Sequence, residues 1–193
     1  MRIASGKLKG LVLKSPLGIR PTQEIVKKSL FDILGRDLSG IKFLDLFAGS
    51  GNIGIEALSL GAEEVILVEN DRASLLNLRQ NLALVAAKSD VKISFIAKDV
   101  LEAVELLCSQ GEQFDIIFLD PPYYQDVAKK TLNKLVACDI LAPSGQVIVQ
   151  HYKKDVLFEQ VGNLTLARAV KYGETVLSFY FKIGRPDEKS GRP

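Results

Sequence analysis

The 193 residues, 47% hydrophobic and 25% charged, have the composition of a single globular domain with a substantial core. No apolar run reaches the roughly 18 residues of a membrane span, and residues 1–7 lack the apolar centre of a secretory signal. Two cysteines, Cys108 and Cys138, without C-x-x-C spacing, and a lone His151 offer neither a disulfide framework nor a metal constellation. The expectation is a cytoplasmic, monomeric, metal-free protein. Net charge is only +2, but residues 1–30 hold Arg2, Lys7, Lys9, Lys14, Arg20, Lys27 and Lys28 against Glu24 alone. A basic end on a slightly acidic body points to an anionic partner, or to a solvated lysine-rich surface.

Residues 2–20 are broken by Gly6, Gly10, Pro16 and Gly18 and fit two short strands joined by a glycine turn, an extension (residues 1–20) standing apart from the core. Thr22 is placed to cap a helix whose apolar stripe is Val26, Leu30, Ile33 and Leu34, ended by Gly35. The stretch that organises the chain follows. An apolar run over residues 41–47 meets Gly49, Gly51 and Gly54, and a helix with Ile53, Ala57 and Leu60 on one face comes next. Strand, glycine turn and helix form the context in which G-x-G-x-x-G marks a nucleotide-type crevice.

A second buried strand over residues 65–68 ends at Glu69, and Asp71 caps the next helix. A third strand, residues 91–96, leads to Asp99 and a helix. The fourth, residues 114–119, runs into Asp120-Pro121-Pro122-Tyr123. The fifth covers residues 146–150. Residues 164–170 and 175–182 then read as an antiparallel pair turned at Lys171-Tyr172-Gly173-Glu174. The tail, residues 184–193, is polar and expected to be disordered. The predicted architecture is a doubly wound, Rossmann-like α/β sheet over residues 21–183.

Glu69, 20 residues beyond Gly49, can accept ribose hydroxyls of an adenosine-bearing cofactor, NAD included. Asp99 can meet an adenine amine or simply cap its helix. The proline corner discriminates better. Two prolines hold the backbone extended and remove two N–H donors. Asp120 and the Pro121 carbonyl can then accept hydrogen bonds from an exocyclic base amine and aim its lone pair, while Tyr123 stacks on the extruded base. Hydride transfer needs no such arrangement.

Asp120-Pro121-Pro122-Tyr123 resembles the signature of S-adenosylmethionine-dependent amino-methyltransferases, and Phe47-Ala48-Gly49-Ser50-Gly51 resembles their cofactor loop. With Arg2-Ile3-Ala4-Ser5-Gly6, Lys9-Gly10 and Gly18-Ile19-Arg20-Pro21-Thr22, the chain is similar over residues 2–182 to the RsmD family, which methylates N2 of one guanine (guanine-966) in bacterial 16S ribosomal RNA. The resemblance implies a seven-strand sheet with its last strand antiparallel. It implies S-adenosylmethionine as cofactor, S-adenosylhomocysteine as product, and the assembled or assembling 30S subunit as partner. Asp45, Ala48, Gly49 and Gly51 would surround the methionine part, Glu69 the ribose, and Asp99 and Val100 the adenine, with Phe47, Ser50 and Asn70 also among the cofactor-binding residues. Asp120, Pro121, Pro122 and Tyr123 would hold the guanine, with Asp120 also lining the cofactor site, and Arg2, Lys7, Lys9, Arg20 and Thr22 would meet RNA. Ser5, Leu11 and Gln150-His151 depart from the expected family pattern. Rival readings are a DNA amino-methyltransferase acting on adenine N6 or cytosine N4, an NAD-dependent oxidoreductase and a non-catalytic RNA-binding module. On the leading reading, deleting residues 1–20 is expected to cost RNA binding more than cofactor binding.

Overall fold

The computed structural model describes residues 1–14, 21–88, 92–122 and 126–183, with residues 21–23 described in backbone only. Arg20, Tyr123, the Thr22 side chain and the 184–193 tail therefore lie outside the described residues.

Buried, unalternating β-rich runs form a central parallel sheet. These are β1 (Lys42–Asp45), β2 (Glu64–Val68), β3 (Lys92–Ile96), β4 (Phe114–Leu119) and β5 (Leu141–Tyr152). Two-residue β6 (Gln160–Val161) and the longer β7 (Leu164–Tyr172) and β8 (Thr175–Lys182) complete it in the order β3-β2-β1-β4-β5-β8-β7-β6. The sheet thus has eight strands where seven were expected. The addition is β6, whose Gln160 and Val161 pair antiparallel with Thr165 and Leu164, a span too short to leave a periodic signal. β8 lies antiparallel between β5 and β7. The β7–β8 turn is only Gly173-Glu174, because Tyr172 already pairs with Thr175.

Helices α1 (Pro21–Leu34), α2 (Asn52–Ser59) and α3 (Arg72–Ala86) cover one face, and α4 (Val100–Ser109) and α5 (Val127–Cys138) the other. α1 begins at Pro21, so Thr22 lies in its first turn instead of capping it. Strand periodicity sorts the core. Phe43, Leu67, Phe118, Ile148 and Leu177 pack with α1–α3, whereas Leu44, Ile66, Ile117, Leu119 and Val149 pack with α4 and α5. No helix among the described residues is long and apolar enough to cross a membrane.

The amino-terminal segment departs from expectation. It is a narrow arm with a single Arg2–Val12 bridge and cross-arm bonds such as Ile3 N to Leu11 O (2.9 Å). It does not stand off the body. Ile3, Leu8, Leu11 and Leu13 are buried in the same cluster as Val26, Leu30 and Ile55. Hydrophobic alternation over a glycine-broken stretch predicts a hairpin, and it is burial of its apolar residues that seats that hairpin on the body.

Candidate active site

All five parallel strands end at one edge of the sheet, the edge at which a doubly wound sheet forms its ligand crevice. Asp45 closes β1 and pairs with Leu67 on one side and Phe118 on the other. Since Phe118 faces α1–α3, Asp120 two residues on faces the same way, as does Asp45. Gln150, two residues beyond Ile148 on β5, completes the set, and its side chain lies near enough to Asp120 to exert a lowering influence on that carboxyl's pKa. Periodicity of two thus brings three polar groups together on the face that carries the glycine loop.

Asp45 is 1% exposed, and among the described residues neither carboxyl oxygen has a hydrogen-bond partner. Burial, then the neighbouring Asp120 charge and more weakly Glu69, push its carboxyl up to about 7. The Phe47 and Gly54 amides lie close enough to oppose this, but neither reaches hydrogen-bonding geometry. Asp120 is likewise raised to about 7 by burial, against the lowering influence of Gln150. Its side of the crevice is less enclosed, since Asp120 keeps partial solvent contact while Asp45 has almost none. Pro121 is buried and Pro122 exposed, so the corner is rooted in the body and open at its tip.

The glycine loop is built from tight constraints. Leu46 N donates to Phe118 O (2.9 Å), and Ala48 N to Val68 O (2.9 Å). Gly49 has φ +54° and open space where a Cβ would project. Gly51 and Gly54 serve packing instead. A Cβ on Gly51 would sit 2.7 Å from Leu78 Cδ1, and one on Gly54 would collide with Leu67 Cδ2. α2 starts at this loop without a side-chain cap, so its first-turn amides face the crevice. Ser50 is buried, and Phe47 and Ala48 are partly or wholly so.

Glu69 braces the loop. Its Oε2 accepts the Gly49 amide at 2.7 Å, and its Oε1 accepts those of Asn70 and Asp71 at 2.8 Å each. Oε2 keeps acceptor capacity toward a ligand. Asn70 is exposed beside it. Asp99 is the N-cap of α4, accepting from Leu101 N at 2.9 Å, and Val100 is buried against Leu44 and Ile66.

The basic residues divide. Arg2, Lys7, Lys9 and Lys14 are exposed, but Lys27 is buried and ion-paired with Glu56 at 2.9 Å. Lys7 N and Leu8 N bond Ser59 at the far end of α2, at 2.8 and 2.9 Å. The arm's tip, with Lys7 and Lys9, therefore lies about 10 Å down α2 from the crevice. Its two ends, Arg2 and Lys14, lie nearest the site.

Sequence reasoning misses two features here. Gln150 stands out in the sequence only as a departure from pattern, yet counting strand parity from Phe118 and Ile148 aims it at Asp120. Lys153 and Lys154, exposed just past β5, stand on the same rim beside the proline corner, with Val156 77% exposed and Lys171 near the end of β7. They lie past a strand end, where basic residues carry no periodic mark. Among the described residues no group of three or more His, Cys, Asp or Glu is arranged to hold a metal.

The family model described as "Conserved hypothetical protein 95" matches residues 1–181. "Putative rRNA methyltransferase YlbH" of Bacillus subtilis (strain 168) is 36% identical over 186 residues, 95% of this chain and 100% of that one. Ribosomal RNA small subunit methyltransferase D of Escherichia coli (strain K12) is 31% identical over 93% of this chain and 89% of its own. A solved hypothetical protein of Thermus thermophilus superposes with TM-score 0.78 at 32% identity, covering 95% of this chain and 99% of that structure.

Proposed function

The chain belongs to the RsmD family, the family of that matching model and of the small subunit methyltransferases D, and on that premise we propose that it methylates the exocyclic N2 of one guanine of 16S ribosomal RNA, at the family's position 966. The observation that carries the reading is the shared crevice. The Asp120 corner on β4 and the unpartnered Asp45 carboxyl on β1 face it from adjacent strands, on the face that bears the glycine loop.

The residues present fit S-adenosylmethionine. Asp45 offers a buried carboxyl lacking a partner, which suits an ammonium group. The uncapped start of α2 suits a carboxylate, Gly49 leaves open space, and Glu69 retains an acceptor for a ribose hydroxyl. When bound, the cofactor supplies an electrophilic methyl group on a sulfonium.

Everything else falls to the chain's own groups. An exocyclic guanine amine has its lone pair drawn into the ring, so it must be aimed. Asp120 Oδ and the Pro121 carbonyl accept its two N–H groups and fix the lone pair's direction. Asp120, with its carboxyl raised to about 7, is basic enough to take the proton as the amine gains positive charge, and Gln150 orients it. Tyr123 stacks on the extruded base. Arg2, Lys14, Lys153 and Lys154 engage flanking phosphates, and by the family resemblance Arg20 and Thr22 assist the substrate RNA.

The test is incorporation of labelled methyl groups into small subunits and into naked 16S RNA, followed by nucleoside analysis and primer extension. One N2-methylguanine is expected. Methylated adenine or cytosine in DNA, or binding of NAD in preference to S-adenosylhomocysteine, would overturn the assignment.

A further inference from the structure

The amino-terminal arm is fastened to the cofactor loop by two buried side chains. Asn81 on α3 is fully buried, and its Nδ2 donates to Lys14 O (2.7 Å) and to Ser50 O (2.9 Å). Its Oδ1 accepts Lys14 N (2.8 Å). Lys27 Nζ meets Arg2 O (3.0 Å), Asn52 Oδ1 (3.1 Å) and Glu56 Oε2 (2.9 Å), one partner for each ammonium proton. Glu56 in turn accepts the Ala4 and Ser5 amides at 3.0 and 2.8 Å. Both ends of the arm, Arg2 and Lys14, are held by the side chains that hold Ser50 and Asn52 on either side of Gly51.

The peptide unit between Ser50 and Gly51 is pinned at both ends. Its carbonyl accepts from Asn81, and its N–H donates to Ala48 O at 2.7 Å. Gly51 holds φ +84°, so this unit sets the direction in which the loop leaves Gly49 and enters α2. An unpaired Ser50 carbonyl in this buried position would lose the bond that fixes that rotation.

Resting on the function proposed above, we infer that Asn81 is a positioning residue for the cofactor loop and that the arm, through its Lys14 backbone, orients Asn81. The arm is then a supporting wall of the cofactor site. Disturbing it costs cofactor affinity even with no RNA present, the reverse of what an RNA-facing extension predicts.

The experiment titrates S-adenosylhomocysteine into the full chain and into Asn81→Ala, Lys14→Pro and their double variant, without RNA, with circular dichroism confirming fold. Lys14→Pro removes the N–H that Asn81 Oδ1 accepts, together with the lysine side chain, and fixes φ at that position. Asn81→Ala is expected to weaken Kd about tenfold and Lys14→Pro about threefold, with the double variant no weaker than Asn81→Ala alone. Steady-state methylation by Asn81→Ala is expected to show KM for S-adenosylmethionine rising in step, with kcat within about threefold of wild type. A folded Asn81→Ala with wild-type Kd overturns the inference, and so do fully additive effects. Should Asn81→Ala fail to fold, an unchanged Kd in Lys14→Pro overturns it alone. A wild type that binds no S-adenosylhomocysteine overturns the functional reading and this inference with it, a result distinct from every variant outcome.

Discussion

Asp45 and Asp120 face one crevice from adjacent parallel strands, and the charge of the second helps keep a proton on the first. Both carboxyls are raised to about 7, so the pair titrates together across neutral pH. A cationic ligand group beside Asp45 favours its ionised form. Affinity for S-adenosylhomocysteine is therefore expected to rise as pH rises toward 8, and binding below about pH 7 to release a proton. Calorimetry in buffers of different ionisation enthalpy measures that proton. Asp45→Asn is expected to abolish the release, and a wild type binding with no proton exchange at pH 6 would refute the pairing.

The same shift has a consequence for stability. A carboxyl raised in the folded state favours folding most below its ordinary value of 3.8, and that contribution is lost as pH climbs through about 7. In ligand-free protein, Asp45→Asn is expected to melt above wild type at pH 8, with a smaller gap at pH 5. An equal gap at both values would mean that Asp45 does not carry the buried charge.

Asp120→Asn keeps an acceptor oxygen but loses the charge. Methyl transfer is expected to fall at least about a hundredfold, while S-adenosylhomocysteine binding changes less than about threefold. Near-wild-type turnover would remove Asp120 from proton handling and leave it an orienting role at most.

How much of this is legible in the sequence follows from periodicity. The run over residues 114–119, the glycine loop and the Asp71 and Asp99 caps each carry a local pattern, and each forms where that pattern puts it. Gln150 and Asn81 carry none. Their roles arise from tertiary placement, one by strand parity across β4 and β5, the other by a chain segment 67 residues away. Lys27 misleads for the same reason. In sequence it is one more lysine in a basic stretch, and only the fold reveals Glu56 beside it. The two-residue β6 lies below the length at which alternation can be seen.

The rim beyond β5 makes its own prediction. Lys153 already pairs with Glu174, whereas Lys154 and Lys171 are exposed at this edge. Lys154→Glu with Lys171→Glu is expected to weaken RNA binding and to reduce the salt dependence by about 0.7 in log–log slope for each phosphate no longer neutralised. Cofactor affinity should not move. Unchanged RNA binding and slope would place the RNA elsewhere on the edge.

Lys27 and Glu56 form an ion pair with side chains only 5% and 2% exposed, and Glu56 also holds the arm's amides. Removing one partner leaves a buried charge without its counter-ion, at a cost of about 3–5 kcal/mol. For a chain of this size that corresponds to a fall in Tm of roughly 6–20 °C. Lys27→Met and Glu56→Gln are each expected to show losses of that order, and the double variant to lose clearly less than their sum, because neither then strands a charge. Amide exchange at Ala4 and Ser5 should quicken in Glu56→Gln, since both amides then exchange a charged acceptor for a neutral one. A Lys27→Met variant within about 1 kcal/mol of wild type would show that water reaches the pair, and that the arm is held by its apolar residues Ile3, Leu8, Leu11 and Leu13 without help from this ion pair.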